Sequence, residues 1–125
     1  MIYGIGIDLC SIRRVQNIKD LNKFANKILT SGEIKHLDTL DQKNSVNYLA
    51  KQFAAKEALS KALGTGLIGD VKLNLIEIDR DQSGKPYIKM NDHMKTFLSK
   101  IGVNSTFVSL ADDSDFAVAT VILER

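Results

Sequence analysis

The pattern of apolar and polar positions predicts a strand first, then four helices, and then strands interrupted by one further helix. Residues 2–8 alternate in the manner of a strand and place Gly4 and Gly6 together on one face. Glycine inside a strand often marks the close approach of another backbone or of a ligand. We therefore expect this strand to pack tightly, with Asp8 at its C-terminal end as a turn residue, a helix cap or part of a site.

Three short helices are predicted between residues 11 and 40, each beginning after a residue whose side chain can cap it. The candidate caps are Ser11, Asp20 and either Thr30 or Ser31. Glu33 stands three residues after Thr30, which is the spacing of a capping box. The polar residues 41–45 then predict a loop.

The longest helix is predicted from about Ser45 to Leu63, because strong helix formers dominate it and the glycine loop Gly64-Thr65-Gly66 follows. At about 100° per residue, Glu57 falls within the apolar stripe of this helix. That stripe consists of Val46, Leu49, Ala50, Phe53 and Ala54. Lys61 lies one turn further along, and unpaired buried charge is costly. The two charges therefore form either a simple salt bridge or part of a functional site.

A hairpin is predicted after the glycine loop. The segment from Val71 to Arg80 is typical of a strand, but its apolar positions change parity partway, which indicates a bulge or burial on both faces. Asp81-Gln82-Ser83-Gly84 is typical of a hairpin turn, and the return strand would begin at Lys85 and Pro86, where proline is tolerated.

The C-terminal third predicts a helix over residues 91–101, a strand over 106–110, a turn over 111–114 and a strand over 116–123. The last strand is apolar on both faces, which is typical of a central or interfacial strand. This order of elements argues for a single compact α+β domain over residues 1–125, with helices packed on a mainly antiparallel sheet.

The charge distribution says more than the net charge. A formal charge of +2 over 125 residues is too small to argue for a nucleic-acid partner. In the first 30 residues, however, Arg13, Arg14 and three lysines outnumber two aspartates. This surface is either an ordinary solvated helix face or a docking face for an acidic partner.

The composition also bears on location. One cysteine, Cys10, excludes an internal disulfide and a cysteine-rich zinc site, and it fits a reducing cytoplasm. Residues 1–9 are apolar but lack a basic flank and contain Asp8, so they do not predict a signal peptide. No apolar run approaches the roughly 20 residues that span a bilayer, so we expect no membrane association.

The candidate chemistry depends on oxygen ligands. The sequence has no phosphate-binding loop and no nucleophile elbow, and His36 and His93 lack metal-ligand spacing. Asp8 and Glu57 could converge to hold Mg²⁺, which one or two carboxylates usually bind together with substrate phosphates. Lys61 could neutralise a phosphate, and the glycine loop offers backbone N–H groups. The alternative is a Glu57–Lys61 salt bridge beside a glycine at a helix end.

Four motifs, in this order, resemble a known family. They are Ile5-Gly6-Ile7-Asp8, Phe53-Ala54-Ala55-Lys56-Glu57-Ala58-Leu59-Ser60-Lys61-Ala62, Gly64-Thr65-Gly66 and Gly84-Lys85-Pro86. Together they resemble holo-(acyl-carrier-protein) synthase, the small bacterial class of 4'-phosphopantetheinyl transferases. The resemblance covers nearly the whole chain, from Met1 to Glu124.

The resemblance implies a 4'-phosphopantetheinyl transferase fold and a reaction. Such an enzyme transfers the 4'-phosphopantetheine group of coenzyme A to a serine of apo acyl carrier protein, releases adenosine 3',5'-bisphosphate and supports fatty acid and lipid biosynthesis. By resemblance, Asp8 and Glu57 bind Mg²⁺, and Glu57 and Lys61 are catalytic. The residues implied for the coenzyme A pocket are Lys61, Gly64, Gly66, Lys85, Pro86 and Ser109.

The resemblance also implies the assembly and its partner. It predicts a cytoplasmic homotrimer in which each active site lies between two subunits. The acidic carrier protein would dock on Arg13 and Arg14. Many relatives carry a histidine in the turn before the last strand, whereas this chain has Ser109-Leu110-Ala111-Asp112-Asp113, so no role for that histidine transfers. The base that takes the serine proton is left open between a carboxylate and a metal-bound water.

Two other functions are compatible with the sequence. One is a non-catalytic module that binds acyl carrier protein through Arg13 and Arg14. The other is a Mg²⁺-dependent hydrolase of nucleotide-type phosphates. The intact set of Asp8, Glu57 and Lys61 favours the transferase, because a pure binding module would not require it.

Overall fold

The computed structural model describes residues 1–66 and 72–125, and in these ranges it has the predicted α+β arrangement. The strands are β1 (Ile2–Ser11), β2 (Glu77–Arg80), β3 (Pro86–Lys89), β4 (Ser105–Asp112) and β5 (Phe116–Glu124). The helices are α1 (Ile12–Gln16), α2 (Leu21–Ile28), α3 (Ser31–Leu37), α4 (Gln42–Leu63) and α5 (Asp92–Lys100). None of the helices in the described ranges is both long and apolar enough to cross a membrane.

The strands make two antiparallel sheets. β5 lies at the centre of a three-stranded sheet in the order β1-β5-β4, and β2 and β3 form a separate hairpin. Alternate residues of β5 are buried on the face that α4 covers. They are Ala117, Ala119, Val121 and Leu123. The prediction of a central position for the last strand is therefore confirmed.

The two glycines of β1 allow α4 to lie directly on the strand backbone. A Cβ added at Gly6 would lie 1.9 Å from the carbonyl oxygen of Ala58. One added at Gly4 would lie 2.0 Å from the carbonyl oxygen of Ala62. Because no real side chain tolerates such distances, only glycine permits this packing. The predicted close approach of another backbone is confirmed.

We expect Gly6→Ala to lower the free energy of unfolding by about 3 kcal/mol, because the new methyl group would collide with helix backbone, which cannot rotate away. Gly84→Ala is the control, since a Cβ there meets nothing within 4 Å and only the positive φ of 87° opposes it. The control should lose about 1 kcal/mol. Urea denaturation followed by circular dichroism measures both, and equal losses would contradict the packing argument.

Side-chain caps begin the short helices at the predicted residues. The oxygens of Ser11 and Asp20 each accept a hydrogen bond from the backbone N–H three residues later. Thr30 and Glu33 form the reciprocal capping box at the start of α3. These local predictions are confirmed because each depends only on residues within one turn of the helix start.

The start of α4 and the end of β4 differ from the predictions. α4 begins at Gln42 and not at Ser45, because the side chain of Asp41 accepts a hydrogen bond from the N–H of Asn44 at 2.9 Å and caps the helix. The polar residues predicted as a loop are therefore its first turn. β4 continues to Asp112, since its pairing with β5 extends through two residues that resemble a turn in sequence.

The strand predicted over residues 71–80 is shorter than expected. Val71 lies outside the described residues, and Leu73–Leu75 forms a 3₁₀ turn. The alternation of apolar positions changes phase because of this turn and not because of a bulge, since the strand begins only with β2. The hairpin turn over 81–84 is confirmed, and Pro86 opens the return strand.

The outer face of the three-stranded sheet, which points away from α4, carries exposed apolar side chains. They are Ile5, Ile7, Leu9, Phe107 and Phe116, with between 44% and 66% of each residue exposed. The strand register places all five on this one face. Exposed apolar side chains gathered in one patch are typical of a surface that another protein covers.

Candidate active site

Asp8 lies within β1 and faces α4. It pairs with Ala119 of β5, and the two-residue period of a strand places it on the same face as Gly4 and Gly6. The strand continues to Ser11, and Ser11 caps α1, so Asp8 is neither at the strand end nor a helix cap. The glycine packing that brings α4 onto β1 therefore also brings side chains of α4 to Asp8.

Lys61 of α4 reaches back to β1. Its Nζ donates to Oδ1 of Asp8 and to the carbonyl oxygen of Ile7, both at 3.0 Å. The side chain of Asp8 is 16% exposed and that of Lys61 is 54% exposed, so the ammonium faces solvent while the carboxylate is largely enclosed. The ion pair of Lys61 is thus with Asp8, which corrects the simple Glu57–Lys61 alternative.

Glu57, one turn before Lys61 on α4, completes the cluster. Burial raises the pKa of the Glu57 carboxyl, the Asp8 carboxylate raises it further, and the Lys61 ammonium lowers it. Glu57 and Lys61 are four residues apart on one side of α4, and Lys61 contacts Asp8, so the three groups belong to one site. The structure therefore brings together Asp8, Glu57 and Lys61.

The oxygen donors of this cluster fit Mg²⁺. The Asp8 carboxylate raises the pKa of the Glu57 carboxyl, and a divalent cation between the two groups would relieve this repulsion. Mg²⁺ usually takes one or two protein carboxylates and completes its coordination with water and substrate phosphates. Within the described residues, no group of three or more His, Cys, Asp or Glu side chains could hold a metal. The cluster therefore suits Mg²⁺ shared with a phosphate-bearing ligand better than a closed structural metal centre.

The glycine loop after α4 begins as a helix cap. Gly64 has a left-handed φ of 77°, and its N–H donates to the carbonyl oxygens of Ser60 and Lys61. Gly66 also has a positive φ, of 68°, and is exposed. The N–H of Gly64 is occupied by the helix end, although the sequence favours it as a donor to phosphate.

The other residues implied for coenzyme A lie elsewhere on the chain. Lys85 and Pro86 belong to the β2–β3 hairpin, which packs against β4, while β1 forms the opposite edge of the three-stranded sheet. Ser109 is exposed on the outer face of β4, paired with Thr120, whereas Asp8 is on the inner face. A single chain therefore does not bring these three residues to Asp8.

The predicted docking residues adjoin the cluster. Arg13 and Arg14 are exposed on α1, which follows β1 directly. Burial raises the pKa of the Cys10 thiol, Asp8 raises it further and Arg14 lowers it, so Arg14 lies in the electrostatic neighbourhood of Asp8. Cys10 itself is buried and protonated at neutral pH, which excludes it as a nucleophile.

A buried polar network lies behind the cluster. Lys56, next to Glu57 in sequence, is fully buried, and its Nζ donates to the carboxylate of Glu33 and to the carbonyl oxygen of Ile28. The carboxylate of Glu33 accepts three further hydrogen bonds, from the side chain of Gln52 and from the N–H groups of Thr30 and Ile78. This network joins α2, α3 and β2 to α4.

Sequence reasoning missed this network and placed Glu57 in the core, although Glu57 is only partly buried. The fully buried charge of α4 is Lys56. A signal for this was present, because alanine occupies positions 54, 55 and 58 around it. Small residues on several sides of a helix indicate that other elements surround it.

A concavity with a volume of about 770 Å³ lies between α3, α4, β4 and the hairpin. Four acidic and three basic side chains stand on its walls. They are Glu33, Glu77, Asp79, Asp112, Lys51, Arg80 and Lys89. Since Asp8, Glu57 and Lys61 do not line it and its carboxylates outnumber its basic side chains, it offers no comparable site for an anion with a metal.

The chain is similar to known proteins over almost its whole length. A family model described as the 4'-phosphopantetheinyl transferase superfamily matches residues 4–121. The holo-(acyl-carrier-protein) synthase of Buchnera aphidicola subsp. Baizongia pistaciae is 41% identical over 126 residues, which cover 98% of each chain.

Solved structures share the fold. The crystal structure of holo-(acyl-carrier-protein) synthase from Neisseria meningitidis superposes with a TM-score of 0.93 at 39% identity and covers 100% of both chains. The holo-(acyl-carrier-protein) synthase from Bacillus anthracis, crystallised in complex with CoA (3',5'-ADP), gives a TM-score of 0.84 at 36% identity. That match covers 98% of this chain and 96% of the other.

Proposed function

The chain belongs to the 4'-phosphopantetheinyl transferase superfamily, and on this premise we propose that it transfers the 4'-phosphopantetheine group of coenzyme A to a serine of apo acyl carrier protein. Adenosine 3',5'-bisphosphate is the other product. The proposal assigns the reaction to one domain, residues 1–125, acting in the cytoplasm in support of fatty acid biosynthesis. The observation that carries it is the cluster of Asp8, Glu57 and Lys61.

Asp8 and Glu57 are the residues that would hold Mg²⁺. When bound, the ion supplies positive charge against the diphosphate of coenzyme A, where the reaction develops negative charge. The Lys61 ammonium, one turn further along α4, adds a second positive charge against the same diphosphate. The direct contact of β1 with α4 holds the two carboxylates in place before the substrate arrives.

In the proposed reaction, the serine oxygen of the carrier protein forms a bond to the phosphorus of 4'-phosphopantetheine, and the bond from this phosphorus to the adenosine bisphosphate oxygen breaks. The protein must align the two oxygens and neutralise their charge. Glu57 and Lys61 are the catalytic residues in this proposal because they project from one rigid helix at the same cluster.

The homotrimer remains part of the proposal. Lys85, Pro86 and Ser109 do not reach Asp8 within one chain, so a site that uses all of them needs a second copy. The apolar outer face of the sheet supports this assembly, because Ser109 lies among its exposed apolar side chains. A neighbouring copy that covered this face would place Ser109 at the interface.

We expect Ile7→Glu to dissociate the assembly, because Ile7 is 61% exposed on the outer face and a carboxylate there would have to be buried between subunits. Light scattering after size-exclusion chromatography should show the mass of one chain instead of three. Asn26→Glu, on the exposed side of α2, is the matched control and should leave the mass unchanged. A wild-type protein of one-chain mass would contradict the trimer.

We expect Arg14→Glu to raise the KM for acyl carrier protein about tenfold at low ionic strength and to leave the KM for coenzyme A unchanged. The charge reversal repels an acidic partner, and in the described part of the chain Arg14 forms no ion pair with Asp8, Glu57 or Lys61. Added salt should narrow the difference, because it screens exposed charges. Lys100→Glu, at the end of α5, is the control for a distant charge reversal. An equal rise in both KM values would argue against a docking role.

Mass spectrometry of the carrier protein tests the function itself. Apo acyl carrier protein is incubated with the enzyme, coenzyme A and Mg²⁺, and a mass gain of one phosphopantetheine is expected. Stable binding without a mass gain would indicate a non-catalytic module. Release of adenosine bisphosphate in the absence of carrier protein would indicate a hydrolase.

A further inference from the structure

The ammonium of Lys61 occupies the place beside Asp8 where a cation would bind. It contacts two oxygens at once, Oδ1 of Asp8 and the carbonyl oxygen of Ile7, both at 3.0 Å. The nearby Glu57 carboxylate adds a second negative charge. The cluster thus has an internal cation that partly neutralises it.

A divalent ion and this ammonium compete for the same carboxylate. Mg²⁺ binds carboxylate oxygens at about 2.0–2.1 Å, so on Asp8 it would lie within a few ångströms of an ammonium that kept its present contacts. Repulsion between charges at that separation is strong wherever water is partly excluded. Asp8 is such a place, because only 16% of its side chain is exposed.

Lys61 can leave Asp8 without disturbing the fold. Its side chain is 54% exposed, and water can replace both hydrogen bonds of its ammonium. Lys56, on the same helix, shows the opposite arrangement, because it is fully buried and bound to Glu33. The two lysines therefore have different freedom of movement, although both lie within the same short motif.

Building on the proposed function, we propose that Lys61 is an internal competitor of the divalent cation. It pairs with Asp8 in the unloaded protein, is displaced when the metal binds, and then turns its ammonium to the phosphates of the substrate. Metal binding thereby converts an internally paired ammonium into a free one. Binding of the cation and binding of the anionic substrate are positively coupled as a result.

Chemical labelling of lysine tests the displacement directly. The wild-type protein, without coenzyme A, is acetylated with a limiting amount of an N-hydroxysuccinimide ester, and peptide mass spectrometry reads the rate at each lysine. Saturating Mg²⁺, at matched ionic strength, should accelerate the labelling of Lys61 several-fold. Lys51, which pairs with Asp112 at 3.7 Å, is the internal control and should not change. An unchanged or slower rate at Lys61 would overturn the proposal.

Metal affinity gives a second readout that does not depend on turnover. By calorimetry, Lys61→Met should bind Mg²⁺ about tenfold more tightly than the wild type, a typical size for coupling between sites. Lys51→Met removes an ammonium from the same helix and should change the affinity less than about twofold. Equal effects of the two variants would mean a general loss of positive charge and would overturn displacement.

Failure of the Lys61 displacement can be distinguished from failure of the proposed transferase function. If neither the wild type nor Lys61→Met binds Mg²⁺, the competition is wrong. Transfer of phosphopantetheine is judged independently by the mass of the carrier protein. A wild type that binds weakly beside a variant that binds well supports the proposal.

Discussion

The Glu57→Gln variant should lose phosphopantetheine transfer about 100-fold at millimolar Mg²⁺ while folding normally. A neutral amide is a poor ligand for Mg²⁺ and adds no negative charge to the cluster. Folding should not suffer, because burial and the Asp8 carboxylate already disfavour the ionised form of Glu57. Its neutral replacement removes that unfavourable interaction, so the midpoint of urea denaturation should stay equal or rise.

Initial rates from mass spectrometry of the carrier protein, measured across a Mg²⁺ titration, check this result. High Mg²⁺ should restore part of the rate if the lost carboxylate is a metal ligand. Asp112→Asn is the matched control, since Asp112 pairs with Lys51 outside the cluster. Normal turnover of Glu57→Gln would reduce Glu57 to a partly buried helix residue without a catalytic role.

The Glu33→Gln variant should lose about 4 kcal/mol of unfolding free energy, because it leaves the Lys56 ammonium buried without its counter-charge. Glutamine also satisfies a capping box, so the helix start should survive. Its NH2 group cannot accept the hydrogen bonds that one carboxylate oxygen of Glu33 accepts, so the loss includes those bonds as well as the charge. Urea denaturation of purified protein measures it. Asp112→Asn is the control: Asp112 pairs with the partly exposed Lys51 at 3.7 Å, outside the buried network, and should cost less than about 1 kcal/mol.

The stability deficit of Glu33→Gln should change with pH in a defined direction. Burial lowers the pKa of Lys56 from 10.5, and Glu33 partly raises it again. Without Glu33, the native protein should release this proton at lower pH than the unfolded chain does. Stability rises with pH wherever the unfolded state binds more protons, so the deficit of Glu33→Gln should shrink as the pH approaches 10.5. A deficit independent of pH would contradict a buried, unpaired ammonium.

A double-mutant cycle tests whether the two buried charges act together. Lys56→Met leaves the Glu33 carboxylate with hydrogen bonds from Gln52, Thr30 and Ile78. The combined Glu33→Gln and Lys56→Met variant should therefore lose much less than the sum of the single losses. Additive losses would mean that the ion pair contributes nothing beyond its separate residues.

Several elements follow from short stretches of sequence. Ser11, Asp20 and Thr30 cap their helices as predicted, because a cap depends on an oxygen and an N–H only three residues apart. The glycines of β1 predict the close approach of another backbone or of a ligand, and the apolar character of β5 predicts a central or interfacial strand. The structure shows the backbone of α4 against β1 and β5 at the centre of its sheet. The start of α4 is less visible, since Asp41 and the polar residues after it are equally typical of a loop.

The four motifs determined the family of this protein by themselves, since they identify it without coordinates. Periodicity also placed Glu57 and Lys61 near each other, because residues four apart on a helix share one side. Only the tertiary structure decided which charges pair. Lys61 meets Asp8, 53 positions away, and Lys56 meets Glu33, 23 positions away. The reason is physical: helical spacing defines a face, but the partners of that face depend on how closely other elements approach, and here Gly6 allows β1 to touch α4.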